Sequence, residues 1–255
     1  MDLLAVEEPL EIRVRYGPLN NRSAATVAIT MRTPGHDADL ATGFLFGEGL
    51  FHDATELLGI HDSHTANVIR VDLASDVHVD LERLKRNVYI SSSCGVCGKT
   101  SLDAVETVCE PVTASLPISP AIIHSLPDKL RQAQATFART GGLHAAGLFD
   151  GMGQLLNLRE DVGRHNAVDK LFGAEVRAGR TRLSDRVLVV SGRASFELIQ
   201  KAAMIGVTVF VAVGAPSSLA VQLAERVGMT LLGFVRDGRF NQYSGPSLVD
   251  AECHS

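Results

Sequence analysis

Apolar and polar positions change their period along this chain, and the change divides it. In the first half the short period dominates. Residues 10–16 and 25–33 read as two β segments joined by the turn-rich link Gly17-Pro18-Leu19-Asn20-Asn21, and residues 67–73 alternate apolar and polar side chains as a half-buried strand does. Residues 77–81 repeat that alternation, and residues 87–90 read as a further short strand. Two stretches take the helical period: 37–50, with Leu40 and Phe44 in register, and 101–108, with Asp103 and Glu106 near its start. A link containing Pro111, Pro117 and Pro120 marks a shift in composition. The expected division is therefore a strand-rich domain over residues 1–115 and a second domain over residues 116–255.

The second half alternates. A helical stretch over 121–139 precedes strand-like segments at 144–149 and 154–158, then a helix with Ala167, Val168, Leu171, Phe172 and Val176 on one side. A βαβαβ run follows, with strands at 187–190, 207–213 and 229–235 and helices at 195–205 and 217–227. Continuous apolar strands divided by helices imply a parallel sheet covered on both faces, so the fold class is α/β, or α+β over the whole chain.

Composition narrows the function classes. The formal net charge is -5 and no basic run interleaves with aromatics, which removes the electrostatic case for a nucleic-acid partner. The charge-free run 202–224 is long enough to cross a bilayer as one helix. Gly206, Gly214, Pro216, Ser217 and Ser218 break it, and no membrane segment is expected. Residues 1–14 carry Glu7, Glu8 and Glu11 and lack the basic start and apolar core of a secretory signal; the four cysteines do not form a disulfide framework. A reducing cytoplasm fits.

The chemistry concentrates in Ser91-Ser92-Ser93-Cys94-Gly95-Val96-Cys97-Gly98-Lys99. Inert cysteines sit among apolar neighbours, whereas these two lie among serines, glycines and a lysine that favours the thiolate. Zinc binding, disulfide exchange and sulfur carriage compete for such a pair. Cys109 and His124 could complete a zinc site, but at loose spacing and without a second C-x-x-C. A nucleobase-deaminase zinc signature is missing, because no H-x-E or C-x-E occurs and Ser93 stands at the proline position. Spacing does not choose among the three uses.

A second candidate region is the sheet edge where parallel strands end. Its loops are Ser191-Gly192-Arg193-Ala194-Ser195, Gly214-Ala215-Pro216-Ser217-Ser218 and Arg236-Asp237-Gly238-Arg239, with residues 160–166 close by. Glycines, hydroxyls and arginines at helix N-termini suit a ligand carrying phosphates, although neither G-x-G-x-x-G nor a P-loop is present. Serine caps and solvated arginines would explain any one loop alone. Asp161, His165 and Asp169 at i, i+4 and i+8 would share a face if their helix began early enough, forming an acid-base or ligand-anchoring face. His144 could point into the same cleft.

The dithiol run, Gly141-Gly142-Leu143-His144-Ala145-Ala146, residues 160–170, Ser191-Gly192-Arg193 and Phe240-Asn241-Gln242-Tyr243 together resemble the FdhD family of formate dehydrogenase accessory sulfurtransferases, in order and over nearly the whole chain. The resemblance implies a cytoplasmic, homodimeric sulfur carrier. It would take persulfide sulfur from a cysteine desulfurase and pass it to the molybdenum bis(molybdopterin guanine dinucleotide) cofactor needed by formate dehydrogenase. It also implies a cytidine-deaminase-like three-layer second domain without the zinc site, and no tightly held metal. On the matching motif Cys94 would carry the persulfide with Cys97 as its partner. Phe234, Val235, Arg236, Asp237, Gly238 and Arg239 match the cofactor-binding segment, with Ser191, Gly192, Arg193 and Ser195 as further candidates. A cofactor chaperone without sulfur transfer and a structural zinc dithiol are the alternatives.

Overall fold

The alternating segments near the N-terminus become strands because one face of each has an apolar core to cover. The computed structural model describes residues 2–62, 66–80, 111–112 and 116–248. Strands β1 (Glu8–Tyr16), β2 (Ser23–Arg32), β3 (Leu57–Asp62) and β4 (Val68–Leu73) form a four-stranded sheet in the order β2-β1-β4-β3. β1 pairs antiparallel with β2 and parallel with β4, so a crossover must join β1 to β4. That crossover carries helix α1 (Asp37–Gly47). The strand period buries Leu10, Ile12 and Val14 from β1 and Ile69, Val71 and Leu73 from β4 on the side shared with Leu40 and Leu45 of α1.

The second sheet has six strands, β5 (His144–Phe149), β6 (Leu155–Asp161), β7 (Val187–Val190), β8 (Val209–Ala212), β9 (Thr230–Arg236) and β10 (Arg239–Ser244), ordered β10-β9-β8-β7-β5-β6. β7, β8 and β9 are parallel. β5 runs antiparallel between β6 and β7, and β10 returns antiparallel to β9, so the sheet is mixed.

Alternate residues of its central strands face two separate apolar layers. Val187, Val189, Val209, Val211 and Leu232 pack with Ile123, Leu126 and Leu130 of helix α2 (Pro120–Ala133). Leu188, Val190, Phe210, Ala212 and Leu231 face a larger core that includes residues of α4 (Arg164–Arg177), α5 (Phe196–Met204) and α6 (Ser218–Val227). The result is three layers, helix on sheet on helices. The larger core runs without a break into the first sheet. At that junction α1 crosses α4 at glycines: a Cβ on Gly43 would overlap the Asp169 carbonyl, and one on Gly173 would overlap that of Asp39.

Two expectations change, and the break expected within 202–224 is seen. Residues 77–80 form no ladder; β4 is already hydrogen-bonded on both sides by β1 and β3, and Val77 and Val79 merely rest on the core. The stretch 121–139 is two helices, α2 and the short α3 (Ala135–Thr140), because Gln134 leaves the helical backbone at φ −77°, ψ 79°. The run 202–224 is shared among the end of α5, β8, a loop and the start of α6, and among the described residues no helix is long and apolar enough to cross a membrane. The segments expected at 87–90 and 101–108, with Cys94, Cys97 and Cys109, lie outside the described residues.

Candidate functional site

The parallel strands end where their loops interlock. Gly214 N–H donates to the Gly192 carbonyl at 2.9 Å, Ala194 N–H to that of Ala215 at 3.2 Å, and Phe234 N–H to that of Gly214 at 3.1 Å. The close approach needs small residues: a Cβ on Gly214 would lie 3.0 Å from the Gly192 oxygen, and one on Gly233 2.8 Å from Pro216 Cδ. Phe234 next to it has φ 54°, the left-handed region that a bulky side chain enters only when its surroundings force it. Beyond Arg236, Asp237 (φ 53°) and Gly238 (φ 66°) turn β9 into β10 as a two-residue hairpin with both central residues at positive φ, the pattern of a type I′ turn.

This turn is one wall of a cleft of about 680 Å³. Helix α2 and the residue that follows it also line the cleft, through His124, Asp128, Arg131 and Gln134, and Gly141, Gly142, His144 and Ser191 belong to the same lining. The Arg131 guanidinium lies 3.9 Å from the centroid of the Phe137 ring, itself part of the wall. Ser191 is fixed by its own strand neighbours, since its hydroxyl accepts from Ala145 N–H at 2.9 Å. Burial, reinforced by Arg164 and His165 nearby, holds the His144 pKa below the ordinary imidazole value, with Asp161 offsetting only part of this. Two buried donor or acceptor atoms in the cleft wall, His124 Nδ1 and Gln134 Nε2, have no hydrogen-bond partner among the described residues.

Of the residues singled out from sequence, Ser191, Arg236, Asp237 and Gly238 meet in this cleft, together with His144 and with His124, which was considered as a zinc ligand. Val235 is fully buried among the apolar residues beneath it. Arg239 pairs across the hairpin with Arg236, and Gly192 and exposed Arg193 belong to the interlocked loops, outside the cleft lining. Ser217 caps α6 by accepting from Ala220 N–H at 3.2 Å. Ser195 does not cap α5; its hydroxyl lies 3.2 Å from His165 Nε2.

The face expected from Asp161, His165 and Asp169 does not form, because α4 begins at Arg164 and Asp161 closes β6. Asp161 is fully buried in a pair with Lys170 at 2.7 Å and accepts from Thr33 N–H at 3.1 Å, while Asn166 donates to the Met31 carbonyl at 2.7 Å. These contacts tie the end of β2 to α4. His165 and Asp169 instead build two rungs with α5: His165 Nε2 lies 3.0 Å from Glu197 and Lys201 Nζ 2.7 Å from Asp169. Burial opposes the Lys201 ammonium, yet Asp169 and Glu48 more than offset it and hold its pKa above that of an ordinary lysine. Glu160 accepts from Thr136 and Phe137 N–H, fixing the start of α3. From α2 the sequence reading took only His124, as a zinc candidate, and missed Asp128, Arg131 and Gln134. Their signal was the helical spacing of 124, 128 and 131 beside the buried row 123, 126 and 130.

Fold and site together define an α/β protein of three layers with a polar cleft at the strand ends of a mixed sheet. The chain belongs to the FdhD/NarQ family, whose profile matches residues 5–250. It is 52% identical over 259 aligned residues to the sulfur carrier protein FdhD of Streptomyces avermitilis, covering 97% of this chain and 89% of that one. It is 47% identical to the protein of the same name from Mycobacterium tuberculosis, over 95% of this chain and 90% of that one. A crystal structure from Desulfotalea psychrophila, of a protein designated a formate dehydrogenase accessory protein, superposes with a TM-score of 0.74 at 25% identity, covering 97% of this chain and 91% of that one.

Proposed function

We propose that this chain is a sulfur carrier that takes persulfide sulfur from a cysteine desulfurase and delivers it to molybdenum bis(molybdopterin guanine dinucleotide), the substrate, on its way to formate dehydrogenase. The observation that carries the reading is the cleft: a cavity within the roughly 300–1,000 Å³ of small-molecule sites, walled by polar groups and an arginine-bearing turn, in a family whose relatives are named sulfur carriers. Residues 1–115 would carry the dithiol and residues 116–255 the substrate, in a cytoplasmic homodimer.

The Cys94 thiolate attacks the outer sulfur of the desulfurase persulfide, and the desulfurase cysteine leaves as thiolate. The new Cys94 persulfide reaches the substrate in the cleft. Cys97 then attacks the inner sulfur, freeing the outer one as sulfide for the molybdenum and leaving a Cys94–Cys97 disulfide that a thiol reductant reopens. Arg236 and the backbone of the Asp237–Gly238 turn hold phosphates of the substrate.

Intact mass recorded without reductant, after incubation with a cysteine desulfurase and cysteine, tests this for wild type, Cys94→Ala and Cys97→Ala. An added sulfur atom is expected in wild type and Cys97→Ala and lost in Cys94→Ala, which still binds the substrate. A wild type that gains no sulfur overturns sulfur carriage and favours a cofactor chaperone or, with stoichiometric zinc, a metal-binding dithiol.

A further inference from the structure

The arginines of the cleft are held differently from those that tie the fold together. Arg32, Arg159, Arg177 and Arg180 each donate to a carboxylate. Arg131, whose guanidinium lies 3.9 Å from the centroid of the Phe137 ring, has no carboxylate partner among the described residues. Asp128 stands three residues before it in α2 and lines the same cleft, a spacing at which the two could pair, yet the guanidinium lies on the ring instead. Arg236, in the same lining, also lies over a phenylalanine, 5.9 Å from the Phe234 centroid, with the Asp237 carboxylate 4.0 Å away. An aromatic face fixes a guanidinium without taking up its N–H donors, so the fork stays open to an anion. Phe137 is itself anchored. Its helix α3 has no side-chain cap from Gln134; the Glu160 carboxylate of β6 accepts from Thr136 N–H at 2.9 Å and from Phe137 N–H at 2.8 Å instead. Glu160 therefore fixes Phe137, Phe137 seats the guanidinium, and Arg131 is exposed in the cleft lining.

We infer that Arg131 is a second phosphate-binding residue of the cleft, beside Arg236, and that Phe137 and Glu160 are its positioning residues. The inference rests on the reading above that the cleft takes a guanine dinucleotide substrate, whose pyrophosphate carries more charge than one arginine neutralises. Two guanidinium groups from different elements line that cleft, and each offers paired N–H donors that match phosphate oxygens. A lysine at 131 would bring the charge without the fork and without the flat stack on Phe137, so the exchange is not neutral. Glu160 belongs to the run 160–166 expected close to the ligand. It serves the ligand one step removed, through the ring it holds in place.

The test is equilibrium binding of GDP and guanosine to the full-length protein as wild type, Arg131→Gln, Arg131→Lys, Phe137→Leu and Phe137→Tyr, with the thermal midpoint of each ligand-free protein. The two probes share base and sugar, so the ratio of their affinities reads the phosphates alone. Wild type should prefer GDP by about tenfold or more. Arg131→Gln should weaken GDP about tenfold, move guanosine by less than about twofold, and leave the midpoint unchanged, because the side chain is exposed. Arg131→Lys should recover only part of the loss. Phe137→Leu should weaken GDP about threefold, and Phe137→Tyr, which keeps a ring beneath the guanidinium, should recover it. An Arg131→Gln protein with the wild-type GDP-to-guanosine ratio overturns the assignment and leaves the cleft a nucleotide site. Equal losses for GDP and guanosine in Arg131→Gln assign the residue to the base or to packing and overturn it as well. A wild-type ratio in Phe137→Leu overturns the positioning role. A wild type that binds neither probe overturns the substrate reading, and the phosphate assignment with it.

Discussion

On the α4 side of the six-stranded sheet two buried lysines meet carboxylates, although Arg164 Nε there has no hydrogen-bond partner among the described residues; on the α2 side no buried ion pair is found among the described residues. Lys170 meets Asp161, Lys201 meets Asp169 and Asn166 meets the Met31 carbonyl, and these contacts join the two sheets or pin α4 to α5. Across the sheet, Gln134 Nε2 and His124 Nδ1 have no partner among the described residues, and the Phe234 backbone is held in the left-handed region. The same strand ends therefore serve two purposes. One side spends its polarity on fixing how the elements sit, and the other lines a cleft. Residues that look equally functional in a motif can differ in duty even on one face: Asp161 and His144 are partners in the β5–β6 ladder, yet Asp161 is taken up by Lys170 while His144 belongs to the cleft lining.

The sharpest way to break the comparison is to remove one member of a buried pair. Lys201→Met should destabilise the fold by about 3–5 kcal/mol, because it strands the Asp169 carboxylate in a fully buried site. Adding Asp169→Leu should restore most of the loss, since an apolar pair of similar volume avoids both desolvation penalties. Urea unfolding of the single and double variants measures both. A single variant as stable as wild type would mean that the α4–α5 seam does not depend on its charges.

Next in size is the helix crossing that supports the seam. Gly173→Ala would place a methyl group against the Asp39 carbonyl, and the backbones of α1 and α4 would have to separate. Overpacking of this kind costs about 1–3 kcal/mol, and the loss should appear as a lower urea midpoint. Because the same crossing leads to the Asp161–Thr33 contact, faster proteolysis of the first sheet should accompany it.

Much of the fold was legible before the structure. The apolar runs at 187–190 and 207–213 could only be buried strands, and the amphipathic spacing of Ala167 to Val176 marked the core face of α4. The parts that were not legible depended on tertiary partners. β10 is a half-exposed edge strand whose sequence carries little apolar signal, β3 is an edge strand whose apolar residues are interrupted by Gly59, and the reversal of β5 is set by the hairpin it makes with β6. The loops of the site were found because glycine and arginine are conspicuous at strand ends. Asp128, Arg131 and Gln134 were passed over because they read, without the turn that shares their cleft, as an ordinary solvated helix face. The charges of residues 160–170 suggested chemistry, and only the structure showed that Lys170 and Thr33 had already taken up Asp161.

The smallest expected effect separates the two sides by titration. His144 is the imidazole in the cleft lining, where burial first, then Arg164 and His165, keep its folded pKa below the ordinary value. Below about pH 6.5 the unfolded chain takes up a proton there that the folded chain still refuses. Stability is therefore full above that pH and falls as the pH drops from there toward the lowered folded value. His36, at the start of α1, is lowered in the same direction by burial and Arg159, with Asp39 opposing, so it adds to the same acid-side loss. Comparing urea midpoints at pH 7.5 and 5.5, His144→Gln should show a smaller drop than wild type, and His144→Gln with His36→Gln a smaller drop still. Lys201 leaves that window untouched, because a lysine held above its usual pKa stays protonated throughout and gives up its contribution only at alkaline pH. If His144→Gln kept the full wild-type drop, the imidazole would be protonating in the folded protein as readily as in water, and neither burial nor Arg164 and His165 would be setting its charge.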